Sequence, residues 1–311
     1  MSTPGEPVGT ASSPSSPASA APVRSKGATF AVRVASAAVL IAAVAATLAT
    51  FHWGFVLLVA ALVGIATWEL TQAAHRLGVS PAWPVLVVGV PATLVATYAA
   101  GTIPALTNQL NGLGPVHVGL LVLSVTLLVA LGLRLRGGVD GYLADISASA
   151  LILAYGGLLV LSVVWLMLSP RPVAFLVAYV ACIAANDSGA YWFGSLFGRH
   201  TMAPGISPAK TWEGFVGGVL LGVVAGVLLG LFLLDVAWWW GLVFGAVLAV
   251  CATVGDLVES AIKRDVGVKD MGRLMPGHGG AMDRLDSMLF CAPVAVVLYA
   301  LMGLLTDAGA A

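Results

Sequence analysis

The chain has 311 residues, a formal net charge of +0, 59% hydrophobic residues and only 9% charged residues. This apolar fraction exceeds the roughly 45–50% of a soluble globular domain, so that class is excluded. Without net charge, no global electrostatic field recruits nucleic acid, and the long apolar runs predict an all-α integral membrane protein.

The N-terminal segment 1–29 is rich in Ser, Pro, Ala and Gly and lacks apolar periodicity. Such a segment cannot bury enough apolar surface to offset the entropy of ordering, so it is expected to be a disordered tail. Residues 30–311 are expected to form one polytopic membrane domain. The first apolar run leads directly into further spans, which favours a retained span over a cleaved signal peptide.

About 20 apolar residues cross a bilayer, and by that measure about nine candidate spans follow the tail. Only Phe51 and His52 separate the first two. The spans are predicted at roughly 31–50, 52–68, 83–100, 116–133, 146–168, 173–194, 214–234, 237–255 and 287–306.

The distribution of Lys and Arg predicts the orientation, because these residues are enriched on cytoplasmic loops. With nine spans and a cytoplasmic N-terminus, all of the 14 Lys and Arg residues except Arg171 fall on the inner side. The C-terminus is then expected outside. The two most polar loops, 195–213 and 256–286, would share the cytoplasmic side.

The sixth span ends in a polar segment, Asn186 to Tyr191, and an ionisable residue within a span such as Asp187 is a functional candidate. Ser207 to Gly214 is predicted to open the next helix, with Glu213 near its positive end and Lys210 placed to reach an anion. Lys210 is equally compatible with a membrane-surface anchor. We expect this segment to form one half of a two-part site.

The predicted eighth helix extends beyond the membrane with Asp256, Glu259, Ser260 and Lys263 at helical spacing, so one face would carry all four side chains. Charges close to hydrocarbon cost several kcal/mol unless they are paired or bound to a cation. A helix end held by salt bridges and a cation site both remain open at this point.

The rest of this loop combines positive charge, glycines and carboxylates. Glycines beside His278 allow the backbone to approach a phosphate, and Asp283 and Asp286 are expected on the first turn of the last helix. Oxygen ligands without cysteine favour Mg²⁺ over zinc, bridging carboxylates to phosphate oxygens. The residues concerned are Lys263, Arg264, Lys269, Gly277, His278, Gly279, Gly280, Asp283, Arg284 and Asp286.

The spaced run from Ser260 through Lys263-Arg264, Lys269-Asp270, Pro276-Gly-His278-Gly279-Gly280 and Asp283-Arg284-Leu-Asp286 closely resembles the signature of phosphatidate cytidylyltransferases, also called CDP-diacylglycerol synthases. The segments Asp187 to Tyr191, Ser207 to Gly214 and Gly255 to Ser260 resemble further landmarks of that family. The likeness covers roughly residues 30–306. Met275 and Ala281 depart from the family pattern but stay apolar.

This resemblance implies a reaction of CTP with phosphatidic acid at the inner (cytoplasmic) membrane, giving CDP-diacylglycerol and pyrophosphate. It implies a divalent metal, Mg²⁺, with Asp256 and Asp283 as ligands. Asp187 and Asp286 would orient the site or hold a second, monovalent cation such as K⁺. The remaining residues are expected to bind nucleotide or lipid phosphate and to shape the phosphate-binding turn: Ser207, Lys210, Thr211, Lys263, Arg264, Lys269, His278, Gly279, Gly280 and Arg284. A homodimer is expected from the family and from the prevalence of two-fold oligomers.

Two other functions fit part of the pattern. A CTP-dependent kinase of a polyprenol or another lipid alcohol would release CDP. A transporter could line an ion path with Asp187 and the cytoplasmic carboxylates, but the charges lie on one face and no paired broken helices are visible. A CDP-alcohol phosphotransferase is disfavoured because its spaced Asp-Gly-Ala-Arg motif is missing from the sequence.

Overall fold

The computed structural model describes residues 42–109, 113–272 and 279–304. Within these ranges, eight helices are long and apolar enough to cross a membrane. From His52 onwards the α-helices are labelled α1 (His52–Arg76), α2 (Trp83–Thr102), α3 (Pro104–Gln109), α4 (Pro115–Arg134), α5 (Tyr142–Ile152), α6 (Leu159–Met167), α7 (Pro172–Phe197), α8 (Trp212–Leu229), α9 (Trp238–Asp265) and α10 (Met282–Leu301). The short α3 is not one of the eight spans, and α5 and α6 together form one span. A π-helical segment, Leu153–Leu158, joins α5 to α6 as one span, and another, Gly230–Leu234, ends α8.

Eight of the predicted spans coincide with these helices. The first predicted span lies mostly outside the described residues; its last part, 42–50, is helical, and Phe51 leaves the helix with a φ of −150° before α1 begins. The count of nine and the orientation of the termini therefore stay predictions. The arrangement is that of a polytopic helical membrane protein.

Glycines bring α7, α8 and α9 into close backbone contact. A Cβ atom at Gly189 would lie 2.5 Å from the carbonyl oxygen of Gly217, and a Cβ at Gly245 would overlap the carbonyl of Gly222. Small residues allow membrane helices to approach in this way. This packing makes the three helices the rigid support of the polar residues at their ends.

An aromatic stack fixes α10 against the same support. The rings of Phe175 and Tyr299 stack with centroids 4.5 Å apart, and Phe244 lies 4.9 Å from Tyr299. The Tyr299 hydroxyl donates a hydrogen bond to the Phe175 carbonyl at 2.7 Å. Because all three rings are buried, the last helix has a defined position relative to α7 and α9.

The segment before α8 differs from its prediction. Ser207 to Thr211 was expected to open a helix, but it forms strand β2 (Ser207–Thr211), which pairs antiparallel with β1 (Thr201–Ala203). The helix begins only at Trp212, where the Thr211 hydroxyl accepts a hydrogen bond from Gly214 N at 3.1 Å. The Glu213 carboxylate folds back to accept the amides of Arg199 and His200. The loop is thus a short hairpin held to the first turn of α8.

The second polar segment, predicted as a loop over 256–286, is helical at both of its ends. Helix α9 continues to Asp265 and α10 starts at Met282, so the connection is limited to residues 266–281. The polar side chains 256–265 follow the helical spacing that predicted a shared face. They consequently project from a rigid element.

Candidate active site

Three carboxylates from α9 and α10 form a compact acidic group. Asp256, Glu259 and Asp286 each offer an oxygen, and these oxygens lie within 4.8 Å of one another. Glu259 is fully buried, and its Oε1 has no hydrogen-bond partner among the described residues. A set of oxygen donors that includes a buried carboxylate oxygen without a hydrogen-bond partner suits a hard divalent cation such as Mg²⁺.

Close approach of α10 to α9 brings this group together. A Cβ at Gly255 would lie 2.8 Å from Phe290 Cβ and 3.2 Å from Ser287 Cα. The Ser287 hydroxyl also donates to the Ala252 carbonyl at 3.2 Å. Glycine at position 255 therefore lets Asp286, on the first turns of α10, face its partners on α9.

Lys263 and Asp283 form a second charged layer beside the acidic group. The Lys263 ammonium contacts the Glu259 carboxylate and lies 2.9 Å from Asp283 Oδ1. The other Asp283 oxygen accepts the amides of Met271 at 3.0 Å and Gly280 at 2.7 Å. Asp283 thus ties the connection 266–281 to α10, and its expected role as a metal ligand stays a prediction.

The two polar segments singled out in the sequence contact each other. Lys210 Nζ, on β2, lies 2.6 Å from Asp256 Oδ2, on α9. Arg264 Nε donates to the carbonyl of Ile206 at 3.0 Å, in the turn of the hairpin. The end of α9 is therefore tied to the hairpin at two points.

A cavity of about 340 Å³, lined by both polar and apolar side chains, opens where these elements meet. Asp187 is exposed to it from α7, and Asn186 lies buried beside it with no partner for its Oδ1 among the described residues. Lys210 and Asp256, which form an ion pair, lie in the wall together with two aromatic rings and several hydroxyl groups. The lining includes Asn186, Asp187, Tyr191, Ser207, Lys210, Thr211, Phe215 and Asp256.

Asp256 belongs to both the cavity wall and the acidic group. A cation held by the three carboxylates would therefore lie beside the cavity, near the Lys210 ammonium that contacts Asp256. A polyphosphate needs cations of this kind around its oxygens. The arrangement can bind a metal-complexed nucleotide and stabilise negative charge on a leaving group.

The other predicted site residues lie around this centre. Gly279 adopts a φ of 81°, in the left-handed region that glycine tolerates, and Gly280 donates its amide to Asp283. Lys269 and Arg284 are exposed near the ends of the connection. Gly277 and His278 lie outside the described residues, so the expected phosphate-binding role of His278 stays a prediction.

Two residues of this region were not predicted from the sequence. Glu69, on α1, is 2% exposed, and its carboxylate accepts the amides of Ala281 and Met282. Tyr155, in the π-helical segment, has a buried hydroxyl without a partner among the described residues, and the charges of Asp286, Glu259 and Asp256 act on it. An acid inside an apolar span was a usable signal for Glu69. The sequence held no comparable signal for Tyr155.

Residues 31–302 match the sequence model of the cytidylyltransferase family. A phosphatidate cytidylyltransferase of Mycobacterium bovis is 34% identical over 254 residues, which cover 80% of this chain and 81% of the relative. The protein of that name from Mycobacterium leprae is 45% identical over 168 residues, 54% of this chain and 53% of its own. One from Staphylococcus saprophyticus is 44% identical over 126 residues, 40% of this chain and 46% of its own.

Proposed function

The chain belongs to the cytidylyltransferase family, and we propose that it transfers the cytidylyl group of CTP to phosphatidic acid, giving CDP-diacylglycerol and pyrophosphate. The observation that carries this proposal is the shared position of Asp256, which links a cavity of about 340 Å³ to a group of three carboxylates. The names of relatives along most of the chain support the same reaction.

In the proposed reaction, a phosphate oxygen of phosphatidic acid attacks the α-phosphorus of CTP, and the bond from that phosphorus to the β-phosphate bridging oxygen breaks. A phosphate monoester has a second pKa of about 6 and is mostly dianionic at neutral pH, so the protein need not supply a base. Lys210 would bind nucleotide phosphate from the hairpin. Lys263, Arg264, Lys269 and Arg284 would neutralise the charge of the other phosphate groups.

We assign the metal site to Asp256, Glu259 and Asp286. Asp283, the other ligand that the family resemblance implies, lies beside this group and contacts the same Lys263 ammonium as Glu259. Mg²⁺ suits these oxygen donors, and when bound it would supply charge stabilisation to the phosphoryl transfer. Asp187, exposed in the cavity, would orient the nucleotide or accompany a monovalent cation such as K⁺. Ser207, Thr211, Gly279 and Gly280 would provide hydroxyls and a backbone turn for phosphate.

The proposed topology places the site on the cytoplasmic side of the inner membrane. It comprises nine spans, with the N-terminal tail 1–29 inside, the membrane catalytic domain 30–311, and the C-terminus outside. CTP is available on that side, and phosphatidic acid presents its headgroup at the same depth. We also propose a homodimer, on the basis of the prevalence of two-fold oligomers.

The test uses protein purified in lipid nanodiscs with phosphatidic acid, Mg²⁺ and CTP labelled at either the α- or the γ-phosphate. Cytidylyl transfer should place the α label in lipid and the γ label in pyrophosphate. In parallel nanodiscs that also contain a polyprenol, transfer of the γ label to the polyprenol with release of CDP would identify a kinase instead. Absence of labelled lipid, together with uptake of an ion by sealed vesicles into which the protein has been reconstituted, would identify a transporter.

A further inference from the structure

A buried carboxylate from a distant helix contacts the start of α10. Glu69, on α1, accepts the amide of Ala281 at Oε1 over 3.1 Å and the amide of Met282 at Oε2 over 2.9 Å. The two partners are 212 and 213 residues away in the chain. Both carboxylate oxygens are therefore engaged by one helix end.

These amides belong to the first turn of α10, where backbone N–H groups have no partner within the helix. The positive end of the helix dipole also favours a carboxylate there. Glu69 thus acts as a cap supplied by another helix, and it fixes the residue at which α10 begins. Asp283 and Asp286 follow within the next turn, so their positions depend on that start.

Two glycines of the connection lie against the same carboxylate. A Cβ atom at either Gly272 or Gly280 would overlap the Glu69 carboxylate. These glycines flank residues 273–278, which lie outside the described residues. Gly272 and Gly280 are consequently brought together at the Glu69 side chain.

A carboxylate is needed for this contact because each of its oxygens accepts one amide. Glutamine has an NH₂ donor in place of one of these oxygens, and a donor at that position cannot accept the amide that lies against it. A residue retained for packing alone would be apolar, since a buried charge costs free energy unless it is hydrogen-bonded or paired. The need for a carboxylate at position 69 is therefore explained by the two amides that it accepts, and not by packing.

We propose that Glu69 is a positioning residue for the reaction: it fixes the start of α10 and so holds Asp286 against Asp256 and Glu259. Its catalytic meaning rests on the proposed function. Its effect on cation binding by the three carboxylates does not, and it can be measured without turnover.

The experiment compares Glu69→Gln, Glu69→Asp and Thr67→Val with the wild-type protein. Thr67 is a matched control because it is buried on the same helix and its hydroxyl donates within α1, to Val63 O. Mn²⁺ binding is measured by electron paramagnetic resonance, thermal unfolding checks folding, and hydrogen exchange follows the peptide 279–286. Loss of a residue that orients metal ligands commonly weakens metal binding by about 10–100-fold.

We expect Glu69→Gln to remain folded, to bind Mn²⁺ about tenfold more weakly and to exchange faster at 279–286, whereas Thr67→Val stays within about twofold of wild type. If Glu69→Gln unfolds, Glu69→Asp decides, with an expected several-fold loss of Mn²⁺ affinity. Faster exchange with unchanged Mn²⁺ binding, an equal loss in Thr67→Val, or wild-type protein that binds no Mn²⁺ would each overturn the proposal. Failure of the proposed function would show separately, as wild-type protein that binds Mn²⁺ but puts no α label into lipid.

Discussion

Asp286 offers the most direct test of the acidic group at the scale of one residue. Its removal from the three carboxylates should weaken cation binding and the charge stabilisation that the cation supplies, which is commonly worth several kcal/mol. Since 1.36 kcal/mol corresponds to a tenfold rate, Asp286→Asn should lower cytidylyl transfer about a hundredfold or more. Steady-state incorporation of α label into lipid measures this.

The matched control for that substitution is Asp265→Asn, at the exposed end of the same helix that carries Asp256. It removes one carboxylate from the same face of the membrane, and activity should stay within about twofold because surface charges contribute little. Equal losses in the two variants would show that net charge, rather than the acidic group, is responsible.

Lys210 is expected to act mainly on nucleotide binding, because it lies on the cavity wall and contacts Asp256. Hydrogen bonds to charged groups contribute about 1.5–3 kcal/mol, so Lys210→Met should raise the KM for CTP by roughly tenfold or more. Arg136→Met, an exposed charge in another polar loop, serves as control. An unchanged KM for CTP in Lys210→Met would leave Lys210 as a surface anchor.

At the scale of elements, the α8–α9 contact has a specific requirement for glycine. A Cβ at Gly245 would overlap the Gly222 carbonyl, and overpacking of this kind costs about 1–3 kcal/mol. Gly245→Ala should therefore lower the thermal unfolding temperature in detergent. Gly132→Ala is the control, since no atom lies within 4 Å of its Cβ and alanine favours a helix. Equal stability of the two variants would contradict the packing described here.

The same scale shows which parts of the fold the sequence could predict. Helix α9 was predictable past the membrane because Asp256, Glu259 and Lys263 repeat with a helical period. The hairpin was not, because its strands are short and Pro208 resembles a helix-start signal. Element bounds follow local patterns only where local interactions dominate.

At the scale of the whole molecule, predictability falls with distance along the chain. Composition and charge predicted the membrane class and eight of the helical segments. They could not predict that Glu69 meets Ala281, because that contact joins distant helices and leaves no periodic signal. The pairing of Lys210 with Asp256 was likewise set by helix packing, although both residues were candidates.

The proposed orientation can be measured with single cysteines in a variant that lacks Cys182, Cys251 and Cys291. Pro170→Cys lies between α6 and α7, and Arg136→Cys follows α4; both positions are exposed. A membrane-impermeant maleimide should label the first from outside intact cells and the second only in inverted vesicles, as the distribution of Lys and Arg requires. The reverse pattern would contradict a cytoplasmic site.

The capping of α10 by Glu69 also has a consequence for biogenesis. Glu69 lies on α1 directly after the second predicted span, yet its partners are synthesised 212 and 213 residues later. At about 5–20 residues per second, that interval is roughly 10–40 s. During this time the Glu69 carboxylate lacks the two backbone amides that it accepts in the folded protein. The acidic group of Asp256, Glu259 and Asp286 can accordingly assemble only after the start of α10 has been synthesised, and a chain released earlier would carry Glu69 without its two partners.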